Sequence, residues 1–139
     1  MDFTYRLNPR APASKTALRE LRNVRRIPDD YIDFLSKSNG ADGFIGTKPL
    51  FLFPAEEIDE INIAAAIDEF APGLVIFGCD LGGISYAFDT RQEQETIVEF
   101  FDADIGDGEE QFCANCIGDF FKYLSERHRG PDYPSADHP

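Results

Sequence analysis

Apolar residues in this chain follow two different spacings. In Leu74-Val75-Ile76-Phe77-Gly78-Cys79-Asp80-Leu81-Gly82-Gly83-Ile84-Ser85-Tyr86-Ala87-Phe88-Asp89, a β-branched run meets a glycine turn and then alternating apolar positions. That pattern predicts strand, tight turn, strand. Gly78, Gly82 and Gly83 suit positive φ or a close backbone approach, and Ile84, Tyr86 and Phe88 at period two give the second strand a buried face. Leu50-Phe51-Leu52-Phe53 predicts a compact strand after a loop at 41–49. Thr96-Ile97-Val98-Glu99-Phe100-Phe101 predicts another after the polar turn that starts at Asp89. Turn and spacing together predict an antiparallel meander.

Elsewhere the period is helical. After the Asn8-Pro9-Arg10-Ala11-Pro12 breaker, Ser14 is placed to cap a short helix with Ala17, Leu18, Leu21 and Val24 on one face. A second helix starts near Ile27-Pro28-Asp29-Asp30, buries Tyr31, Phe34 and Leu35, and closes at Ser38-Asn39-Gly40. Pro54 opens a third, with Glu56 and Glu57 in its first turn and Ile58 and Ile61 turned inward. The last helix is expected from about Glu110 to Glu126, with Cys113, Ile117, Phe120, Phe121 and Leu124 at core spacing. Strands grouped between helices predict one α+β domain, an antiparallel-rich mixed sheet wrapped by helices. Its expected limits are 14–127, with an N-terminal extension over 1–13 and a mobile tail over 128–139.

Composition changes the picture mainly through charge. The 139 residues carry 13 Lys or Arg against 26 Asp or Glu, a net −13. Residues 1–26 hold seven basic and two acidic residues, so the rest of the chain carries −18. An acidic body repels nucleic acid and anionic lipid and speeds encounter with a basic protein, although solubility alone accounts for it equally well. The arginines of the first helix, Arg19, Arg22, Arg25 and Arg26, are expected to pair with the domain's own acids. No apolar run reaches the length of a membrane span, and Met1–Leu7 lacks the apolar stretch of a signal peptide, which makes the cytoplasm the expected location.

Candidate chemistry is sparse. A dinucleotide loop needs G-x-G-x-x-G opening a helix, but Asp80 takes the middle glycine and a strand follows. Cys113 and Cys116 form a C-x-x-C, but only Cys79, His128 and His138 remain to complete a zinc site, and the pair falls within the last helical pattern, away from a redox motif's position. Buried thiols are the expected role. A Ser-His-acid triad would have to recruit a histidine at or near the tail, and no serine sits in a G-x-S-x-G elbow. The loop Asp102-Ala103-Asp104-Ile105-Gly106-Asp107-Gly108-Glu109-Glu110 fails the calcium-loop template at positions five, six and twelve, where Gly106, Asp107 and Cys113 stand. No catalytic, metal or cofactor residue is therefore assigned. The same loop can offer carboxylates to the arginines of a basic protein. Asp102, Asp104, Asp107, Glu109 and Glu110, with Asp80 and Asp89, are the candidate partner-binding residues; Gly78, Gly82 and Gly83 are assigned to the turn.

Three segments together resemble the SUKH superfamily, the family of a yeast cell-wall synthesis regulator and of many bacterial immunity proteins. They are Ile27–Leu35 leading to Asn39-Gly40, Leu50–Phe53 with the acidic helix after it, and Val75–Gly83 running into Tyr86–Asp89, which is similar to the family's Gly-x-Asp-x-Gly-Gly turn between strands. With the C-terminal aromatic helix they cover roughly 27–125. The resemblance implies one α+β domain that binds proteins rather than performing chemistry, without catalytic residues or cofactor. Many bacterial members neutralise toxins, often nucleases, so the expected partner is a cognate, basic protein toxin rather than nucleic acid or membrane. A regulatory interaction module unconnected with toxins is the alternative, and an uncharacterised enzyme the third reading.

Overall fold

The computed structural model describes residues 5–127, so the tail expected over 128–139 lies outside the described residues. Local rules set the first elements. Ser14 Oγ accepts the Ala17 N–H at 3.0 Å and starts α1 (Lys15–Val24). Pro28 precedes α2 (Asp29–Lys37), whose first turn carries Asp29 and Asp30. Asp30 also reaches outside its own helix: its Oδ2 accepts the N–H of Ile117, first residue of α5 (Ile117–Arg127), at 2.9 Å.

The strands form one sheet in chain order. They are β1 (Tyr5–Pro9), β2 (Ala41–Ile45), β3 (Lys48–Leu52), β4 (Leu74–Cys79), β5 (Ile84–Asp89), β6 (Thr96–Phe101) and β7 (Gln111–Ala114). Every neighbouring pair runs antiparallel, so the expected meander extends across seven strands and no parallel pair stands among the described residues. Three expectations change. The segment 1–13, expected to be an extension, contributes β1 at one edge. The loop expected at 41–49 is instead β2 and the start of β3; Gly43 permits it, because a Cβ there would stand 2.2 Å from the Arg6 carbonyl oxygen on β1. The helix expected from Glu110 starts only at Ile117, and the residues before it form β7 against β6.

Helices cover both faces of the sheet. On one face Tyr31 of α2 and Phe120 of α5 meet Phe77, Tyr86 and Phe88; the Phe77 and Phe88 rings stack with centroids 4.1 Å apart. On the other lie α3 (Ala55–Ala64) and, after a break, α4 (Ile67–Phe70). This is why β4 and β5 bury consecutive residues rather than alternate ones. The fully buried Asn62 of α3 serves as a strand partner: its Oδ1 accepts the Ile76 N–H at 2.7 Å and its Nδ2 donates to the Ile76 carbonyl at 2.9 Å, beside the β4 bulge.

Candidate functional site

One carboxylate shapes the β4–β5 turn. Asp80 Oδ1 accepts the N–H groups of Gly82 (2.7 Å) and Ile84 (3.0 Å), and Oδ2 accepts Lys48 Nζ from β3 at 3.0 Å. Burial pushes this carboxyl up, but the Ile84 amide, the Lys48 ammonium and the Gly82 amide outweigh it and hold the pKa below the ordinary aspartate value. Gly78 lies so close to β3 that a Cβ would stand 2.9 Å from the Phe51 oxygen, and Gly83 adopts φ +102°. The left-handed residue between them is not Gly82 but Leu81, at φ +63° with its side chain exposed. The turn therefore holds an apolar group at its tip in a conformation that costs an L-residue energy.

The turn is joined to the acidic loop. The Asp102 N–H donates to the Gly83 carbonyl at 2.8 Å, and Ser85 Oγ donates to Asp102 Oδ1 at 2.5 Å. Asp102–Asp104 form a 3-10 turn, after which Gly106 seats the loop against α4: a Cβ there would stand 2.7 Å from the Phe70 oxygen. At the far end, Arg91 donates to Glu110 Oε1 at 3.1 Å and to both oxygens of Asp89 at 3.0 and 2.9 Å. The Arg91 guanidinium pushes the Asp89 carboxyl down, against a smaller opposing effect of burial, and its own pKa rises.

Among the predicted carboxylates, then, Asp80, Asp89 and Glu110 face inward to Lys48 and Arg91, and Asp102 is held by Ser85. Asp104, Asp107 and Glu109 lie between the two ties and make no side-chain hydrogen bond or ion pair with any described residue. Asp107 and Glu109 are exposed, Asp104 half-buried. The sequence assigns no site role to Lys48, Ser85 or Arg91; only the fold brings Lys48 across 32 positions to Asp80.

Three of the four arginines expected to pair with the domain's own acids do so; Arg19 makes no ion pair with a described residue. Arg22 meets Asp29 at 2.6 Å, Arg25 meets Asp59 and Asp68 at 2.8 and 2.9 Å, and Arg26 meets Glu95 at 2.8 Å and also the carbonyls of Thr90 and Glu93. Burial disfavours the charge of Arg25, yet Asp59 and Asp68 outweigh it and raise the pKa. Arg22 on α1, with Arg25 and Arg26 just past its end, is thus paired with acids of the same domain.

The cysteine pair does not lie in a helix. Cys113 is on β7, with its Sγ 3.6 Å from Glu99 Oε1, and Cys116 precedes α5. Cys79, Cys113 and Cys116 are free thiols, and burial pushes the Cys79 thiol up, assisted by Asp80 and Asp102 and opposed by a bond from the Leu81 backbone. Among the described residues no cluster of three or more His, Cys, Asp or Glu is arranged to hold a metal. No described helix is long and apolar enough to cross a membrane. His128 and His138 lie outside the described residues.

Fold and site define a one-domain α+β protein with an acidic loop, 102–110, tied to the sheet at both ends. The chain belongs to the SMI1 / KNR4 family (SUKH-1), whose sequence profile matches residues 12–123. That family is generally non-catalytic, and membership is consistent with an immunity or protein-interaction role. A search among curated proteins finds no match.

Proposed function

We propose that this chain is an immunity-type protein that binds and neutralises a basic protein toxin by occluding it with an acidic surface. A nuclease is the toxin class that fits best, because its nucleic-acid groove is itself built to receive an array of negative charges. The observation that carries the reading is the loop 102–110, where Asp104, Asp107 and Glu109 are held out between two fixed ends without partners of their own among the described residues. Carboxylates already free of internal pairing are available for charge-assisted bonds to arginine. Their field accelerates encounter, and added salt screens it over about 10 Å at 0.1 M.

The test is a pull-down from the native cell's lysate at low and at moderately high salt, followed by expression of the captured protein with and without this chain. A basic protein captured in a salt-sensitive way, whose toxicity this chain suppresses, supports the proposal. Salt-indifferent capture of non-toxic proteins overturns it in favour of a regulatory interaction module.

A further inference from the structure

The helix after β3 ends abruptly. Ala65 closes α3, and Ala66, at φ +53°, turns the chain into α4 in a left-handed conformation seldom taken by any residue but glycine. Beside this break, under the start of loop 102–110, lies a cavity of about 400 Å³. Ile61 and Ala65 wall it from α3, Cys79 and Phe100 from the sheet, and Ile105 from the loop. Ile61, Ala65, Cys79 and Ile105 are half-buried, so they form an accessible apolar mouth. Two polar side chains also line it, Ser85 and Asp102, and they are bonded to each other. A water inside would find few partners, whereas an apolar side chain would displace poorly held solvent.

Asp102 is the one charged side chain in the cavity lining, and the two segments that wall it are acidic in sequence, although Asp59 and Asp68 are already bound by Arg25. Residues 55–70, which supply the helical wall, include six Asp or Glu and no Lys or Arg; residues 102–110 include five and none. Resting on the protein-binding reading above, we infer that this cavity is an anchor site for one apolar side chain carried on a basic segment of the partner, whose flanking Lys or Arg residues pair with the carboxylates of loop 102–110. Such a site follows the usual anatomy of an interface, an apolar anchor in a pocket ringed by polar contacts. An acidic rim rejects acidic or neutral segments that carry the same apolar group.

A defined probe tests this: a labelled 12-residue peptide of lysine and serine with one central phenylalanine, titrated by anisotropy and by amide NMR shifts. The expected result is binding, shifts at Ala65, Cys79 and Ile105, and about tenfold weakening on each of three changes. These are phenylalanine to serine in the peptide, cavity filling by Ala65→Leu or Cys79→Leu, and the combined reversal Asp104→Lys, Asp107→Lys, Glu109→Lys. Two filling variants on different walls, each checked by thermal melting, guard against one that misfolds. If both filled proteins bind as the parent does while charge reversal still weakens binding, the anchor is overturned and the acidic-surface reading survives. If a peptide with glutamine for lysine binds equally well, the cavity serves an uncharged ligand and the inference fails. Absence of any binding overturns it as well.

Discussion

Lys48 and Asp80 meet at 3.0 Å with only 9% of each side chain exposed, which makes them a buried ion pair joining β3 to the β4–β5 turn. Removing one partner of such a pair strands the other charge, and typically destabilises by about 3–5 kcal/mol. Lys48→Met is therefore expected to lower stability by that order in urea denaturation at neutral pH. Asp80 has a folded pKa below its unfolded one, so its contribution is full above the ordinary aspartate range and fades as pH falls through the folded value. The defect of Lys48→Met is expected to shrink below about pH 4.

Asn62 supplies β4 with both hydrogen bonds that a neighbouring strand would give Ile76. Asn62→Leu leaves the Ile76 N–H and C=O buried without those bonds, at about 1–3 kcal/mol for each group. Denaturation would show the loss, and hydrogen exchange would place it: the Ile76 amide is expected to lose protection before the amides of β5.

Tyr31 is fully buried and its hydroxyl has no hydrogen-bond partner among the described residues, while its ring is packed against Phe34, Phe77 and Phe88. Tyr31→Phe keeps the ring contacts and removes an unsatisfied oxygen, so the variant is expected to gain about 1 kcal/mol in denaturation midpoint analysis. Burial also pushes the phenol pKa up, so an ultraviolet titration should show this tyrosine ionising only when the protein unfolds.

Arg91 is half-exposed and bridges Asp89 to Glu110, so its energetic weight is small and its positional weight larger. Arg91→Gln is expected to cost under about 1 kcal/mol. Amide exchange at 106–110 should nevertheless rise, since the far tie of the acidic loop is released. Asp89, depressed mainly by this guanidinium, adds stability above the ordinary aspartate range that disappears as pH falls through its folded pKa; in the variant that acid sensitivity should weaken.

The parts of the fold legible in the sequence are those decided by local chemistry. Ser14 as a cap, Pro28 with its acids, and the Gly78–Gly83 turn between two apolar runs each carry their own structural instruction. What was not legible depends on distant pairing. Ala41–Ile45, with a glycine and an aspartate inside it, has no strand pattern of its own; it becomes β2 because β1 lies beside it, Asn8 against Asp42 across the ladder. Gln111–Ala114 merges with the apolar spacing of α5, and only β6 separates it as a strand. The carboxylates were visible as candidates, but which stay available was not: Lys48 and Arg91 decide that, and neither stands out in sequence. Asn62 was missed too, although a polar residue at core spacing beside Ile58 and Ile61 is a signal to look for one.

The order of the sheet also decides how the domain would yield to force. Its first and last strands occupy opposite edges, so a pull between β1 and β7 runs across the ladder rather than along it. Interstrand hydrogen bonds lie in that same direction. The load would open them a row at a time, as a zip opens, instead of shearing many together. A chain built this way is mechanically soft from its edges even though its centre, clamped by helices on both faces, is the last part to part.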